Sequence, residues 1–195
     1  VFIGQFFLAG LPVAWLVATG ALGLAGLVGA YFLFPHVTSR VNRFLDPTSG
    51  DTYQVDRSLE ALINGGFLGT GPGEGEIKQL LPDAHADFIF SVAGEEFGAI
   101  TCLMIIVLFG FVVLRGFCRL FADGSLFVLL AGAGLLMQFG LQALVHMASA
   151  LQLAPAKGTT LPFISYGGSS LIALALAMGM ALALTRRRVH EGDGA

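Results

Sequence analysis

Three ionisable side chains at alternate positions, Asp83, His85 and Asp87, lie in the segment Leu81-Pro82-Asp83-Ala84-His85-Ala86-Asp87-Phe88-Ile89-Phe90, directly ahead of a long apolar run. Carboxylates and imidazoles are the groups that move protons, and at the edge of a bilayer they are costly unless exposed or built into a site. Asp87 is followed at once by Phe88, Ile89 and Phe90. Apolar surroundings disfavour the charged form of a carboxylate and suit it to general-base chemistry. An aspartate here serves equally well as a helix N-cap, and the local residues leave both readings open. His85 reads as a hydrogen-bond partner for Asp87 or as a surface histidine. Asp83, His85 and Asp87 offer oxygen and nitrogen donors, but their spacing defines no structural metal site, so any metal ligands stay unknown.

A second dense cluster is Pro155-Ala156-Lys157-Gly158-Thr159-Thr160-Leu161-Pro162-Phe163-Ile164-Ser165-Tyr166-Gly167-Gly168-Ser169-Ser170. Two prolines and two adjacent glycines between apolar runs argue for an irregular or re-entrant segment, tolerated at membrane depth only where it is buried or lines a cavity. Lys157 is suited to an anionic headgroup and equally to an interfacial anchor. Glu95 and Glu96 open the next apolar run, where they compensate a helix dipole. The tract Gly69-Thr70-Gly71-Pro72-Gly73-Glu74-Gly75 resembles a phosphate-binding loop only loosely. It lacks the Gly-Lys-Ser/Thr ending and the dinucleotide spacing. His146, late in its apolar run, reads as a packed or interfacial polar group.

The elements that must position these groups are membrane helices. Of 195 residues, 55% are hydrophobic and 12% charged, against roughly 25% charged in a soluble domain. Apolar runs of about 18 to 30 residues match a hydrocarbon core of about 30 Å. A net charge of −3 gives no reason to expect nucleic acid. Cys102 and Cys118 would be separated by about 24 Å on one helix, beyond disulfide reach. The chain opens in apolar sequence with no basic leader region, which reads as the inside of a helix in a longer protein.

The expected architecture is an all-α polytopic membrane protein with four complete transmembrane helices, the tail of a fifth, and a large extracytoplasmic loop containing short helices. Residues 1–9 form the tail and Gly10-Leu11-Pro12 the break. The spans are 13–34, 95–114, 125–146 and 169–185. The outer loop covers 35–94, where patterned Leu59, Leu62, Ile63, Phe67 and Leu68 suggest amphipathic helices on the membrane surface. A cytoplasmic loop occupies 115–124, an outer irregular segment 154–168 and a cytoplasmic tail 186–195. Gly20, Gly23, Gly26 and Gly29 draw a stripe that lets a neighbouring helix approach closely. Arg115, Arg119, Arg186, Arg187 and Arg188 outweigh Lys157 in the short loops, which puts the arginines in the cytoplasm and the Asp87 turn outside.

Together the two clusters resemble the SEDS family of bacterial membrane glycosyltransferases, the FtsW/RodA/SpoVE group. The family stretch Leu-Pro-Glu-Ala-His-Thr-Asp-Phe-Ile-Phe, then Gly-Glu-Glu, is similar to Leu81–Phe90 followed by Gly94-Glu95-Glu96-Phe97-Gly98. The family's Pro-Thr-Lys-Gly and Ile-Ser-Tyr-Gly-Gly-Ser-Ser are similar to Pro155–Ser170. The resemblance covers essentially the whole chain, as the C-terminal half of a ten-span protein, and its FtsW branch fits better than the elongation type. Ala86 stands for the usual Thr or Ser, Ala156 for Thr, and His146 for a common Asn.

The resemblance implies a peptidoglycan glycosyltransferase of the bacterial cytoplasmic (inner) membrane that polymerises lipid II into glycan strands during cell division. Asp87 would be its catalytic base. His85, Lys78, Lys157, Ser165, Tyr166, Gly167 and Gly168 would bind substrate. Lys157 first, then Lys78 or a divalent cation such as Mg or Mn, would neutralise the polyprenyl pyrophosphate leaving group. The implied partners are a class B penicillin-binding protein transpeptidase, other divisome proteins and membrane lipids. A lipid II flippase needs ionisable residues along the helices, and apart from Glu95 and Glu96 at the very start of theirs, His146 alone lies inside a complete span. A non-catalytic scaffold leaves the Asp87 turn without a purpose. The 195 residues alone should be inactive.

Overall fold

The computed structural model describes residues 1–45, 53–122, 125–155 and 158–186. Among these, seven α-helices and one 3₁₀ turn make an all-helical protein: α1 (Phe2–Leu8), α2 (Val13–Leu33), α3 (Pro35–Leu45), α4 (Tyr53–Gly65), the turn Ile77–Leu80, α5 (Ile89–Phe121), α6 (Leu126–Ala150) and α7 (Gly168–Leu184). Three of them, α2, α5 and α6, are long and apolar enough to cross a membrane. Polytopic membrane character follows from this, because apolar helices exposed over most of their surface need lipid rather than water around them.

Helices α5, α6 and α7 form the bundle. At one end Phe90, Cys102 and Phe109 of α5 pack with Phe139, Ala143, Met147 and Ala150 of α6, Leu161, and Leu174 of α7. At the other end Leu120 meets Val128, Ala133 and Leu136, with Leu184 against them. Helix α5 continues through Arg115 and Arg119 to Phe121, so both arginines ride on the helix rather than in the expected connector. Cys102 and Cys118 are free thiols. Helix α2 buries none of its residues, and Gly20, Gly23, Gly26 and Gly29 have nothing within 4 Å among the described residues. Their stripe meets no helix here.

The glycine-rich tract has a structural purpose. Gly98 takes φ 82°, ψ 176°, breaking α5 into two segments. A broken helix leaves amides and carbonyls that must be satisfied elsewhere. The tract supplies the partners: Ala99 N–H donates to Gly66 O (2.9 Å), Thr70 N–H to Glu95 O (2.9 Å) and Gly71 N–H to Glu96 O (3.0 Å). Backbone lies so close to backbone that a Cβ on Gly69 would come within 2.1 Å of Glu96 O. Only glycine fits such an approach.

Candidate active site

The turn carrying Asp83, His85 and Asp87 is pinned at both ends by buried Leu81 and Phe88, which pack on Ala61 of α4. Between them the chain winds back, with Ala86 N–H and Asp87 N–H both donating to Asp83 O at 2.9 Å. Asp83 adopts φ 52°, a left-handed conformation that aspartate tolerates better than most residues. It points to solvent, as does His85, whereas Asp87 is half-buried. Phe88 flanks α5 with no side-chain cap hydrogen bond. Asp87, one residue further out, is therefore not the N-cap of that helix.

Asp87 meets the second cluster directly. An ideal Cβ on Gly158 would sit 3.1 Å from Asp87 Oδ2 and 3.7 Å from Cγ and Oδ1, so the carboxylate lies on the bare backbone of Gly158. The adjoining residues are held by α6. His146 Nδ1 donates to Thr159 O at 2.6 Å, since a carbonyl can only accept. Gln142 Nε2 donates to Thr160 O at 3.0 Å. Only 1% of His146 is exposed, and it lies within electrostatic range of Asp87. The expected packed histidine is thus the peg that fixes the strand of chain under the carboxylate.

The two clusters are also stitched at His85. Tyr166 N–H donates to His85 O at 3.0 Å, and the two rings meet edge to face at 5.8 Å between centroids. Tyr166 is 77% exposed, so its ring forms an open wall beside the turn. Ser165 does something else. It is buried, and its Oγ accepts from Leu161 N–H at 2.7 Å, which closes the turn leading to Tyr166. Gly167 accepts from Ser170 Oγ at 3.0 Å at the start of α7, and nothing lies within 4 Å of a Cβ on Gly168.

Lys78 is an ion-pair partner of Glu96. Glu95 next to it is fully buried. It accepts from Asn64 Nδ2 (3.1 Å), Ile77 N–H (2.9 Å) and Lys78 N–H (2.9 Å). It ties α4 and the Ile77–Leu80 turn to α5, a role beyond the dipole compensation read from its position. Lys157 and Ala156 lie outside the described residues. Among the described residues no group of three or more His, Cys, Asp or Glu could hold a metal ion. Asp83 and His85 are exposed and Asp87 is half-buried, and the three gather no such donor group.

Chemically, a half-buried carboxylate on a glycine shelf, flanked by an exposed histidine and tyrosine, can take a proton from a hydroxyl laid against it. Sequence reasoning missed Gly158 as the shelf, Gln142 as its brace and Glu95 as the anchor of the loop. Gly158 alone carried a signal, as a glycine beside two threonines in an irregular segment.

A family described as cell cycle protein, FtsW/RodA/SpoVE, matches residues 1–190. The chain is 50% identical over 187 residues to a probable peptidoglycan glycosyltransferase FtsW of Caulobacter vibrioides, covering 96% of this chain and 48% of that protein. It is 37% identical over 175 residues to the peptidoglycan glycosyltransferase RodA of Mycobacterium tuberculosis, covering 88% and 37%. A solved structure described as structural coordination of polymerization and crosslinking by a peptidoglycan synthase complex superposes with a TM-score of 0.71 at 30% identity, covering 96% of this chain and 53% of that one. The chain spans half or less of the length of these curated relatives.

Proposed function

From the FtsW/RodA/SpoVE family of cell cycle proteins, to which this chain belongs, we propose that it forms the C-terminal half of a peptidoglycan glycosyltransferase that polymerises lipid II during cell division. The seating of Asp87 on Gly158 carries this reading. It brings the two sequence signatures into contact, which supports a shared site for the acceptor sugar. Names carried by relatives at 50% and 37% identity support the reaction class.

In the proposed step Asp87 takes the proton of the acceptor hydroxyl. The oxygen attacks the anomeric carbon of the donor, a new C–O bond forms, and the bond to polyprenyl pyrophosphate breaks with inversion. One base suffices, because pyrophosphate leaves as a stable anion and needs countercharge rather than the protonating acid of glycoside hydrolysis. Lys157 is our choice for that countercharge, with Mg or Mn carried in on the pyrophosphate as the alternative. Lys78 is placed second, since it must release Glu96 first. His85 and Tyr166 would form the sugar-facing wall. Ser165, Gly167 and Gly168 would shape that wall from behind.

Helices α2, α5, α6 and α7 would be four complete spans of the inner membrane, with α1 the tail of a fifth. Helix α7 has 17 residues, about 26 Å at 1.5 Å per residue, enough to span with its flanking residues. Charge bias would put the Asp87 end outside and Arg115, Arg119 and Arg186 in the cytoplasm. The likeness to a peptidoglycan synthase complex that coordinates polymerization and crosslinking supports a crosslinking partner, and the class B transpeptidase and the divisome are what the family resemblance would add. The test uses full-length protein with its transpeptidase and labelled lipid II. Asp87→Asn should reduce glycan synthesis by about 10²- to 10⁴-fold, the contribution of a general base. Glycan chains built by that variant at the wild-type rate would remove Asp87 from the chemistry.

A further inference from the structure

At the end of the bundle opposite Asp87, a groove of about 190 Å³ opens between α5, α6 and α7. Its walls are apolar, and two guanidinium groups, Arg115 and Arg119, stand on one rim. Both arginines are exposed. They lie four residues apart on α5, hence on one face of the helix. No carboxylate lines the groove among the described residues. Elsewhere the arginine Arg57 has a partner in Glu60, so this pair of cations, with no carboxylate partner among the described residues, stands out beside a mostly apolar cleft.

We propose that this groove is a binding site for one anionic phospholipid, its phosphate held by Arg115 and Arg119 and an acyl chain lying on Phe111, Leu136, Met178 and Leu182. Depth and charge select this occupant. The arginines follow a stretch of α5, residues 97–114, that holds no charged side chain, so they emerge where hydrocarbon gives way to headgroups. Guanidinium pairs grip phosphate oxygens in a planar, bidentate fashion. Basic pockets between membrane helices on the cytoplasmic side suit such lipids. A soluble phosphate would use the cations and leave the apolar cleft unfilled. A partner helix would cover the cleft and leave two charges without a counterion.

The experiment uses the full-length protein in nanodiscs of equal parts phosphatidylglycerol and phosphatidylcholine, with retained lipid counted by native mass spectrometry. We expect one tightly held phosphatidylglycerol. Each Arg→Gln change at 115 or 119 should lower its retention by about five-fold at low salt, the effect of one basic residue near an anionic headgroup. Arg186→Gln, outside the groove, should change retention less than two-fold. Polymerisation assays run in parallel keep this outcome separate from the identity of the catalytic base. Equal retention of the two lipids, retention that survives Arg115→Gln/Arg119→Gln, or displacement by inorganic phosphate would each overturn the proposal.

Discussion

Gly158→Ala is the sharpest probe of how Asp87 is held. What alanine changes is space. Its Cβ would sit 3.1 Å from Asp87 Oδ2, where ordinary contact begins at 3.4 Å, so the carboxylate must retreat by about 0.3 Å. A misplacement of about 1 Å can cost about 10²-fold in rate. Scaled to this shift, the loss is about 4-fold, well short of deleting the base. The expected result is a 3- to 10-fold lower turnover of labelled lipid II by full-length protein with its transpeptidase, at unchanged melting temperature. Gly110→Ala on α5, away from the site, is the internal control, since nothing lies within 4 Å of its Cβ, and it should stay within two-fold of wild type. Equal rates for Gly158→Ala and wild type would refute the idea that the glycine shelf sets the position of the reacting carboxylate.

Other substitutions separate site from scaffold. Glu95→Ala strips three donors of their acceptor, and by the cost of buried unsatisfied amides it should lose about 3 kcal/mol or more, read as a lower unfolding temperature in detergent. His146→Asn keeps a donor near the Nδ1 position for Thr159 O, whereas His146→Leu does not. The leucine variant should lose about 1–3 kcal/mol of stability and most of its turnover, while asparagine retains both within a few-fold. Ser165→Ala should cost about 1 kcal/mol and leave KM for lipid II within two-fold. A ten-fold rise in KM would instead put its hydroxyl on the substrate.

Much of this was readable from residue order. Membrane character follows from run length and missing charge, and the two chemical clusters announce themselves because polar, proline- and glycine-rich segments between apolar helices demand a reason. Whether Asp87 caps α5 was not readable. It turns on which residue flanks α5, and Phe88 does so, leaving Asp87 one position outside. Lys78 looked available for a phosphate, yet Glu96, 18 residues away, claims it. Ser165 was expected at the substrate, and the turn it closes with Leu161 was not visible in residue order. Each of these depends on a partner distant in sequence or on a dihedral that composition does not encode.

Residue types and periodicity alone decided that this chain is helical, lives in lipid and carries one carboxylate-bearing turn beside one irregular segment, because hydrophobic run length and charge are local quantities. Only the tertiary structure decided that these two segments touch. The contact between Asp87 and Gly158 spans 71 residues and exists because α5 and α6 pack through Phe109 and Phe139, which brings the end of α6 to the start of α5. It decided, too, why the glycines are there. They let one backbone lie on another at Gly69 and Gly98, a requirement of close approach that no local pattern expresses.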